Sequence, residues 1–242
     1  MCIRDRYDML ATIKAKLDAG RALLYQTSRY VDIYKALDDI ARERKLTPEE
    51  RQEQKRYAKL ADSFTPLAKG MNSEYANQNA YDSIQIHGGS GFMLEYACQR
   101  IYRDARITNI YEGTSQLQVV AAIRHVTTGT YTGLIESYKE LGYSGALAPL
   151  AGILDKLTEA YKLAVEKVTA AQDQKLLDFM ARRLVEMAGN IIMGYLLLQS
   201  AKVEERFTAT ATVYVKMAQS LVASHCDFIA NFDAAQLADY GI

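Results

Sequence analysis

Apolar residues recur at helical spacing along most of the chain. From Tyr7 to about Ile40 the apolar positions fall seven residues apart, which predicts one long amphipathic helix. The positions are Leu10, Leu17, Leu24 and Val31. Similar spacing within 75–86, 115–126, 150–168 and 176–187 predicts further helices, and no segment shows the alternation typical of a β-strand. The pattern therefore predicts an all-α protein.

Polar residues mark where two of these helices begin. Thr47, Pro48 and the two acidic residues after them are typical of a helix start, because Thr caps the helix, Pro fits its first turn and acids favour its dipole. The spacing of Ser115 and Gln118 resembles a capping box and predicts another start near Ser115.

Glycine and proline predict the interruptions. The glycine-rich segment 87–92 predicts the end of a helix and a turn poor in side chains. Pro66 and Gly70 predict a break in the preceding helical stretch. Four glycines within 127–145 predict a domain boundary, which divides the chain into residues 7–128 and 145–242.

Composition and charge narrow the possible functions. Of the 242 residues 49% are hydrophobic, so the chain can bury a sizeable core. Lys plus Arg and Asp plus Glu number 29 each, which disfavours nucleic acid as a partner. Three scattered cysteines, without His at metal-ligand spacing, indicate free thiols in a reducing compartment and no metal site: Cys2, Cys98 and Cys226. We expect a bacterial cytoplasm or an equivalent compartment.

The most apolar segment leaves two interpretations open. The run 191–198 is far shorter than the roughly 20 residues that a bilayer requires. In the favoured interpretation, the helix around this run packs within a helical hairpin. In the alternative, it belongs to a bundle that binds a membrane surface or a partner. At the other end of the chain, residues 1–6 read like a translated sequencing adapter, and we expect them to be foreign and the natural protein to continue upstream.

Two segments carry the chemical signal. They are Gln85–Phe92 and Ile110–Gln116, separated by a short predicted helix that contains Tyr102–Arg106. Glycines allow a backbone to approach a pyrophosphate closely, and a glutamine can both donate and accept hydrogen bonds there. In their order and spacing the two segments resemble the carboxy-terminal domain of acyl-CoA dehydrogenases, a resemblance that covers about residues 8–128.

This resemblance implies an up-and-down helical bundle, followed here by a second helical segment, and a flavin cofactor. In the family the first segment lies against the ADP part of an FAD bound mainly by the neighbouring subunit, which implies a homo-oligomer, either a dimer or a tetramer. The FAD contacts carried over by position are Gln85, Gly88, Gly89, Thr114 and Gln116.

The resemblance also implies the reaction. Glu112 matches the base that removes the α-proton of an acyl-CoA while a hydride leaves the β-carbon for the flavin, giving a trans-2-enoyl-CoA. A base for this weakly acidic proton needs a raised pKa, which exclusion of water by the acyl chain can provide. Gly113 gives the acyl-CoA room beside the base. Arg124 matches a position near the substrate, although a surface ion pair is the favoured interpretation. Electron-transferring flavoprotein is the implied electron acceptor.

Other functions stay open within and outside the enzyme class. The alternatives are an acyl-CoA oxidase and a non-catalytic relative that serves as a binding module, including a DNA-associated form, which a basic face would support. Compared with the family, the chain lacks the amino-terminal helical domain and the middle β-domain. We therefore expect it to be inactive by itself.

Overall fold

The computed structural model describes residues 4–240, so Cys2 and the first half of the segment expected to be foreign lie outside the described residues. It is 87% helical without a strand in this part of the chain, which confirms the all-α prediction. The helices are α1 (Arg4–Glu43), α2 (Pro48–His87), α3 (Gly89–Phe92), α4 (Ala97–Ile107), α5 (Ser115–Thr127), α6 (Thr130–Lys139), α7 (Ala148–Ala170), α8 (Gln174–Val203) and α9 (Phe207–Asn231). Short 3₁₀ turns cover Gly145–Leu147 and Ala234–Tyr240.

The two longest helices, α1 and α2, pack against each other as an antiparallel hairpin. The predicted start of α2 is confirmed: Thr47 accepts a hydrogen bond from the Glu50 N–H at 3.2 Å, and Glu50 accepts one from the Thr47 N–H at 2.9 Å. The predicted break at Pro66 and Gly70 is wrong, because α2 continues through both residues. Pro66 is buried there, so packing of α2 outweighs the backbone hydrogen bond that a proline forfeits.

Helix α1 uses a different face for the core from the one its heptad pattern suggests. Its buried hydrophobic residues are mostly small or set beside the leucine stripe: Ala15, Ala19, Leu23, Tyr30 and Leu37. The stripe itself lies largely exposed, with Leu10, Leu17 and Leu24 at 50%, 40% and 47% of their accessible area. Gly20 allows the close approach of α1 and α2, because an added Cβ there would collide with the Asn72 side chain. Leu17 and Leu24 of the stripe line an open groove.

Helix α8 forms the centre of the second half of the chain. It packs against α7 and α9 and also against α1 and α5. Every residue from Met187 to Leu198 is buried. By length and composition α8 is the one described helix that could cross a membrane, yet 83% of its apolar window is buried inside the protein. The favoured hairpin interpretation of this segment is thus confirmed.

The glycine-rich stretch 127–145 contains a helix rather than only a linker. Helix α6 lies within it and buries Tyr131, Ile135 and Tyr138. These side chains belong to a hydrophobic core that runs without interruption from α1 to α9. The division of the chain into 7–128 and 145–242 stays a prediction. Short turns at 171–173 and 204–206 connect α7, α8 and α9.

Candidate functional site

A tight turn between α4 and α5 presents Glu112. The Ile110 and Tyr111 N–H groups both donate to the Ile107 carbonyl, and the Ser115 N–H donates to the Asn109 carbonyl at 3.1 Å. Inside this closed turn Glu112 has φ of 53°, one of two non-glycine residues among those described with positive φ. A left-handed conformation is unfavourable for a residue with a Cβ. Such backbone strain is typical of functional sites.

The residues after Glu112 begin α5 and fix the direction of the turn. Gly113 has φ of 91°, which only glycine adopts easily. Thr114 caps the helix, since its hydroxyl accepts a hydrogen bond from the Leu117 N–H at 3.3 Å. The predicted start near Ser115 is confirmed, but the capping box is displaced: the Gln118 amide donates instead to the carbonyls of Glu112 and Gly113, at 3.4 and 3.3 Å.

Two side chains of α2 anchor the same turn, and the sequence did not reveal either. The Lys69 ammonium donates to the Gly113 carbonyl, and Glu74 accepts from the Ser115 hydroxyl and, at 3.4 Å, from the Asn109 amide. Both residues lie about 40 residues before the turn in the chain. Because no local pattern links residues so far apart, only the packing of α2 beside the turn shows their role.

Glu112 lies at the edge of a groove of about 720 Å³ between α1 and α2. The Glu112 carboxylate is exposed and makes no hydrogen bond or ion pair with any described residue. Exposed leucines of α1 form the apolar wall, and Lys16 lies half-buried beside Tyr75, its ammonium 5.8 Å from the ring centre. Burial lowers the pKa of Lys16, with Asp82 opposing the shift. The carboxylate is therefore free to meet a ligand that enters the groove, whose surface is mostly apolar.

The glycine turn at the end of α2 lies far from Glu112. Lys69 contacts the Glu112 turn, and Gly88 follows it by 19 residues of continuous helix, or roughly 28 Å at the rise of an α-helix. Gly88 has φ of 63°, and a Cβ built at Gly89 would meet nothing within 4 Å. The Gln85 side chain is exposed and forms no hydrogen bond with the described residues. An open bend of this kind fits the close approach of a dinucleotide.

The structure thus separates the predicted cofactor contacts into two groups. Thr114 and Gln116 lie exposed beside Glu112, whereas Gln85, Gly88 and Gly89 lie at the far end of α2. Within one chain these groups cannot hold the same end of one cofactor. That the cofactor is shared with a second subunit stays a prediction.

Arg124 lies away from the Glu112 turn. It is nine residues beyond Ser115, or roughly 14 Å along α5. Its guanidinium donates to the Asp62 carboxylate at 2.6 Å. The ion pair of the favoured interpretation is therefore present, and the contact between Arg124 and substrate stays a prediction.

A second cleft, of about 620 Å³, carries positive charge. Arg29, Arg56 and Lys59 line it, and none of the three forms an ion pair with a carboxylate of the described residues. Proteins that bind nucleic acid commonly neutralise about six to ten phosphates. Three cations on a chain without net charge give little support to the DNA-associated alternative.

Comparison with known families gives two adjoining matches. A family profile described as "Acyl-CoA dehydrogenase, C-terminal domain" matches residues 7–127, half of the chain. A second, described as "Acyl-CoA dehydrogenase C terminal", matches residues 127–237. The first match contains both of the segments that carry the chemical signal.

Relatives with assigned functions give the same result. The chain is 30% identical over 208 residues to 3-methylmercaptopropionyl-CoA dehydrogenase of Ruegeria pomeroyi, a match that covers 81% of the chain and 33% of that protein. It is 34% identical over 110 residues to the subunit CarC of the caffeyl-CoA reductase-Etf complex of Acetobacterium woodii, covering 46% of the chain and 23% of that protein. The chain thus spans a third or less of the length of these relatives.

Among solved structures, an acyl-CoA dehydrogenase from Bacillus anthracis complexed with FAD has the same fold. The superposition has a TM-score of 0.67 at 22% identity and covers 96% of this chain and 43% of that one. Nearly the whole chain therefore superimposes on a single known architecture.

Proposed function

Since the chain belongs to the acyl-CoA dehydrogenase family, we propose that it supplies the carboxy-terminal helical part of an FAD-dependent acyl-CoA dehydrogenase, with Glu112 as its catalytic base. One observation supports the role of Glu112 above the others. Among the described residues none pairs with the Glu112 carboxylate, which stands on a strained turn at the edge of a groove whose surface is mostly apolar. This turn is the place where the family motif puts the base.

In the proposed reaction Glu112 takes the α-proton of the acyl-CoA, and the electron pair of that C–H bond becomes part of the new carbon–carbon double bond. FAD, when bound, accepts the hydride that leaves the β-carbon. The product is a trans-2-enoyl-CoA. As the acyl chain fills the groove beside Glu112 it excludes water, which favours the protonated carboxyl and makes the carboxylate a stronger base.

The fixed backbone of the turn contributes to this chemistry. Hydrogen bonds from the Gln118 amide hold the Glu112 and Gly113 carbonyls, and Lys69 also donates to the Gly113 carbonyl, so the two peptide groups after the base cannot rotate freely. The Tyr111 N–H before the base donates to the Ile107 carbonyl. The Glu112 N–H is thus held in position to donate to a thioester carbonyl, whose polarisation makes the α-proton more acidic. Gly113 has no side chain that would obstruct the thioester.

We propose that the FAD is shared between two copies of the chain. The residues Thr114 and Gln116 of one copy would contact it near the base, and Gln85, Gly88 and Gly89 of the other copy would contact its ADP part. A dimer or a tetramer provides this arrangement. The proposed electron acceptor is electron-transferring flavoprotein, and the proposed location is a reducing compartment such as a bacterial cytoplasm.

The test is Glu112→Gln in a catalytically complete form of the protein, assayed with acyl-CoA and ferricenium. We expect turnover to fall by roughly 10²- to 10⁴-fold, because an amide cannot accept the α-proton. The visible absorption of bound FAD should be unchanged. Peroxide measured in the same assay separates an acyl-CoA oxidase from a dehydrogenase.

Glu166→Gln is the matched control, because Glu166 is an exposed carboxylate of α7 that does not line the groove. It should retain nearly full turnover. If Glu112→Gln is as active as the control, the base lies elsewhere and the assignment of Glu112 is wrong.

A further inference from the structure

Glu74 occupies a central position beneath the Glu112 turn. Its carboxylate accepts hydrogen bonds from Asn109, which precedes the proposed base by three residues, and from Ser115, which follows it by three. The two ends of the turn are thus tied to one side chain of α2. Any shift of the Glu74 carboxylate displaces both ends together.

On its other side Glu74 faces the second half of the chain. The Arg182 guanidinium, on α8, lies 4.0 Å from the same Glu74 oxygen that contacts Ser115 and Asn109. Arg182 is itself held by Glu186, whose carboxylate accepts a hydrogen bond at 2.8 Å, and Glu186 also contacts His225 of α9 at 2.9 Å. A connected polar chain therefore runs from α9 through α8 to the turn.

The negative charge of Glu186 is stabilised by its neighbours in this polar network. Burial by itself would raise the pKa of Glu186, but the hydrogen bonds from His225 and Arg182 outweigh burial and leave this pKa below its ordinary value. Glu186 is thus ionised at neutral pH and fixes the Arg182 guanidinium on the side facing Glu74.

Apolar packing is incomplete at the same place. A cavity of about 130 Å³ lies between α2, α5, α8 and α9. Val119, Val185 and Leu221 line it, and Glu74 and Arg182 lie at its border. Where side chains leave a gap between helices, the relative position of the helices depends more strongly on the polar contacts that cross it.

We propose that Arg182 and Glu74 are positioning residues, through which the second half of the chain holds the Glu112 turn in its working geometry. The helices α7 to α9 are then part of the active-site scaffold. The catalytic consequence of this inference rests on the proposed role of Glu112, whereas the mechanical link between Arg182 and the turn does not.

The experiment is hydrogen–deuterium exchange, followed by mass spectrometry, on peptides that span residues 108–118 of the chain. In Arg182→Gln we expect these amides to exchange on the order of 2- to 30-fold faster, the range typical of a substitution within a coupling network. The catalytically complete protein with the same substitution should lose kcat by a similar factor while KM for the acyl-CoA changes less.

Arg183→Gln is the matched control, since Arg183 is the next residue of α8 and stacks over the Phe228 ring, 3.7 Å from its centre. It should leave exchange in 108–118 unchanged. Arg182→Lys, which keeps the charge, should recover part of the protection. In a Glu74→Gln background Arg182→Gln should add little, because the charge that it contacts is already removed.

The outcomes separate the two hypotheses. Unchanged exchange and unchanged kcat in a folded Arg182→Gln protein would overturn the inference and leave the role of Glu112 intact. Faster exchange in Arg182→Gln, together with full activity of Glu112→Gln, would retain the mechanical link and reject the proposed base. If Arg182→Gln unfolds the chain, Arg182→Lys takes its place. Exchange that is faster in 108–118 than in other segments then supports the inference, and an equal change in all segments overturns it.

Discussion

His125 on α5 is buried, with 5% of its surface exposed, and its Nε2 atom lies 3.2 Å from an Asp62 carboxylate oxygen. Burial is the strongest influence on its pKa and lowers it below the ordinary value of 6.5. The attraction of Asp62 opposes this shift, while Arg124 and Lys59 add to it. The folded protein therefore prefers a neutral imidazole at this position.

A pH dependence of stability follows from this shift. Between the lowered pKa and 6.5 the unfolded chain binds more protons at His125 than the folded chain does, so the free energy of unfolding decreases as the pH falls through that window. The contribution of His125 is fully present above about pH 6.5. His125→Asn should reduce the difference between pH 7 and pH 5, measured by urea unfolding.

The exposed His87 provides the control for that measurement. His87→Asn should leave the pH dependence close to that of the unaltered protein. A His125→Asn protein with the same pH dependence as His87→Asn would show that the buried imidazole does not carry the effect.

At the scale of single residues, the chemistry of the turn was partly predictable. Glu112, Gly113 and Thr114 are consecutive, and the role of each can be inferred from its neighbours in the sequence. Glu112 is the proposed base, Gly113 has a positive φ and Thr114 caps α5. Lys69 and Glu74 have no such local reason. Their contacts depend on how α2 packs against the turn, and the sequence contains that information only through the whole fold.

At the scale of elements, the start of α2 is the best-defined boundary. Thr47 and Glu50 form the two reciprocal hydrogen bonds of a capping box, and Arg44 donates two more to the Glu50 carboxylate, at 2.8 and 2.6 Å. The two bonds of the capping box satisfy backbone N–H groups that the start of a helix otherwise leaves without partners, and Arg44 holds the Glu50 carboxylate that forms one of them. The connection between α1 and α2 is thereby fixed.

We expect Thr47→Ala to lower the free energy of unfolding by about 1 kcal/mol, the typical effect of removing a helix cap. Thermal unfolding followed by circular dichroism measures this effect. Thr212→Ala is a suitable comparison, because Thr212 is exposed inside α9 and bonds only to the preceding turn. That substitution should be neutral or slightly stabilising, since alanine is the better helix former. Equal losses in the two variants would contradict the capping argument.

Helix starts were more predictable than helix faces. A cap is a short-range pattern, and Thr47 and Ser115 marked the first turns of α2 and α5 within a residue. The core-facing side of α1 was not predictable from its leucines, since the residues that this helix buries include the small Ala15 and Ala19. Pro66 was misleading for a related reason, because tertiary packing along a 40-residue helix outweighs one local break.

At the scale of the whole molecule, the distance between Glu112 and Gly89 predicts complementation between subunits. Suppose that Glu112→Gln and Gly89→Glu each inactivate a complete protein, the first by removing the base and the second by obstructing the FAD of the partner. If each site takes Glu112 from one copy and Gly89 from the other, a mixed dimer contains one site with neither change. Random mixing of equal amounts should then restore about one quarter of the sites.

The measurement is turnover after the two variants are unfolded together and refolded with FAD. Each variant refolded alone is the control and should stay inactive. If both contacts belong to the same copy, every site in a mixed dimer carries one defect, and no activity returns. A recovery close to zero would therefore contradict the sharing of FAD across the interface.

The leucine stripe of α1 also has a practical consequence at the bench. Leu10, Leu17 and Leu24 are spaced like the seam of a coiled coil, and such a seam attracts any similar surface in a concentrated sample. When this chain is purified by itself, we expect its leucines to adhere to those of other copies and form aggregates that mild detergent disperses. The particle size of such a preparation therefore measures self-association through the exposed leucines. The oligomeric state of the complete protein has to be measured under conditions in which these leucines are not exposed to solvent.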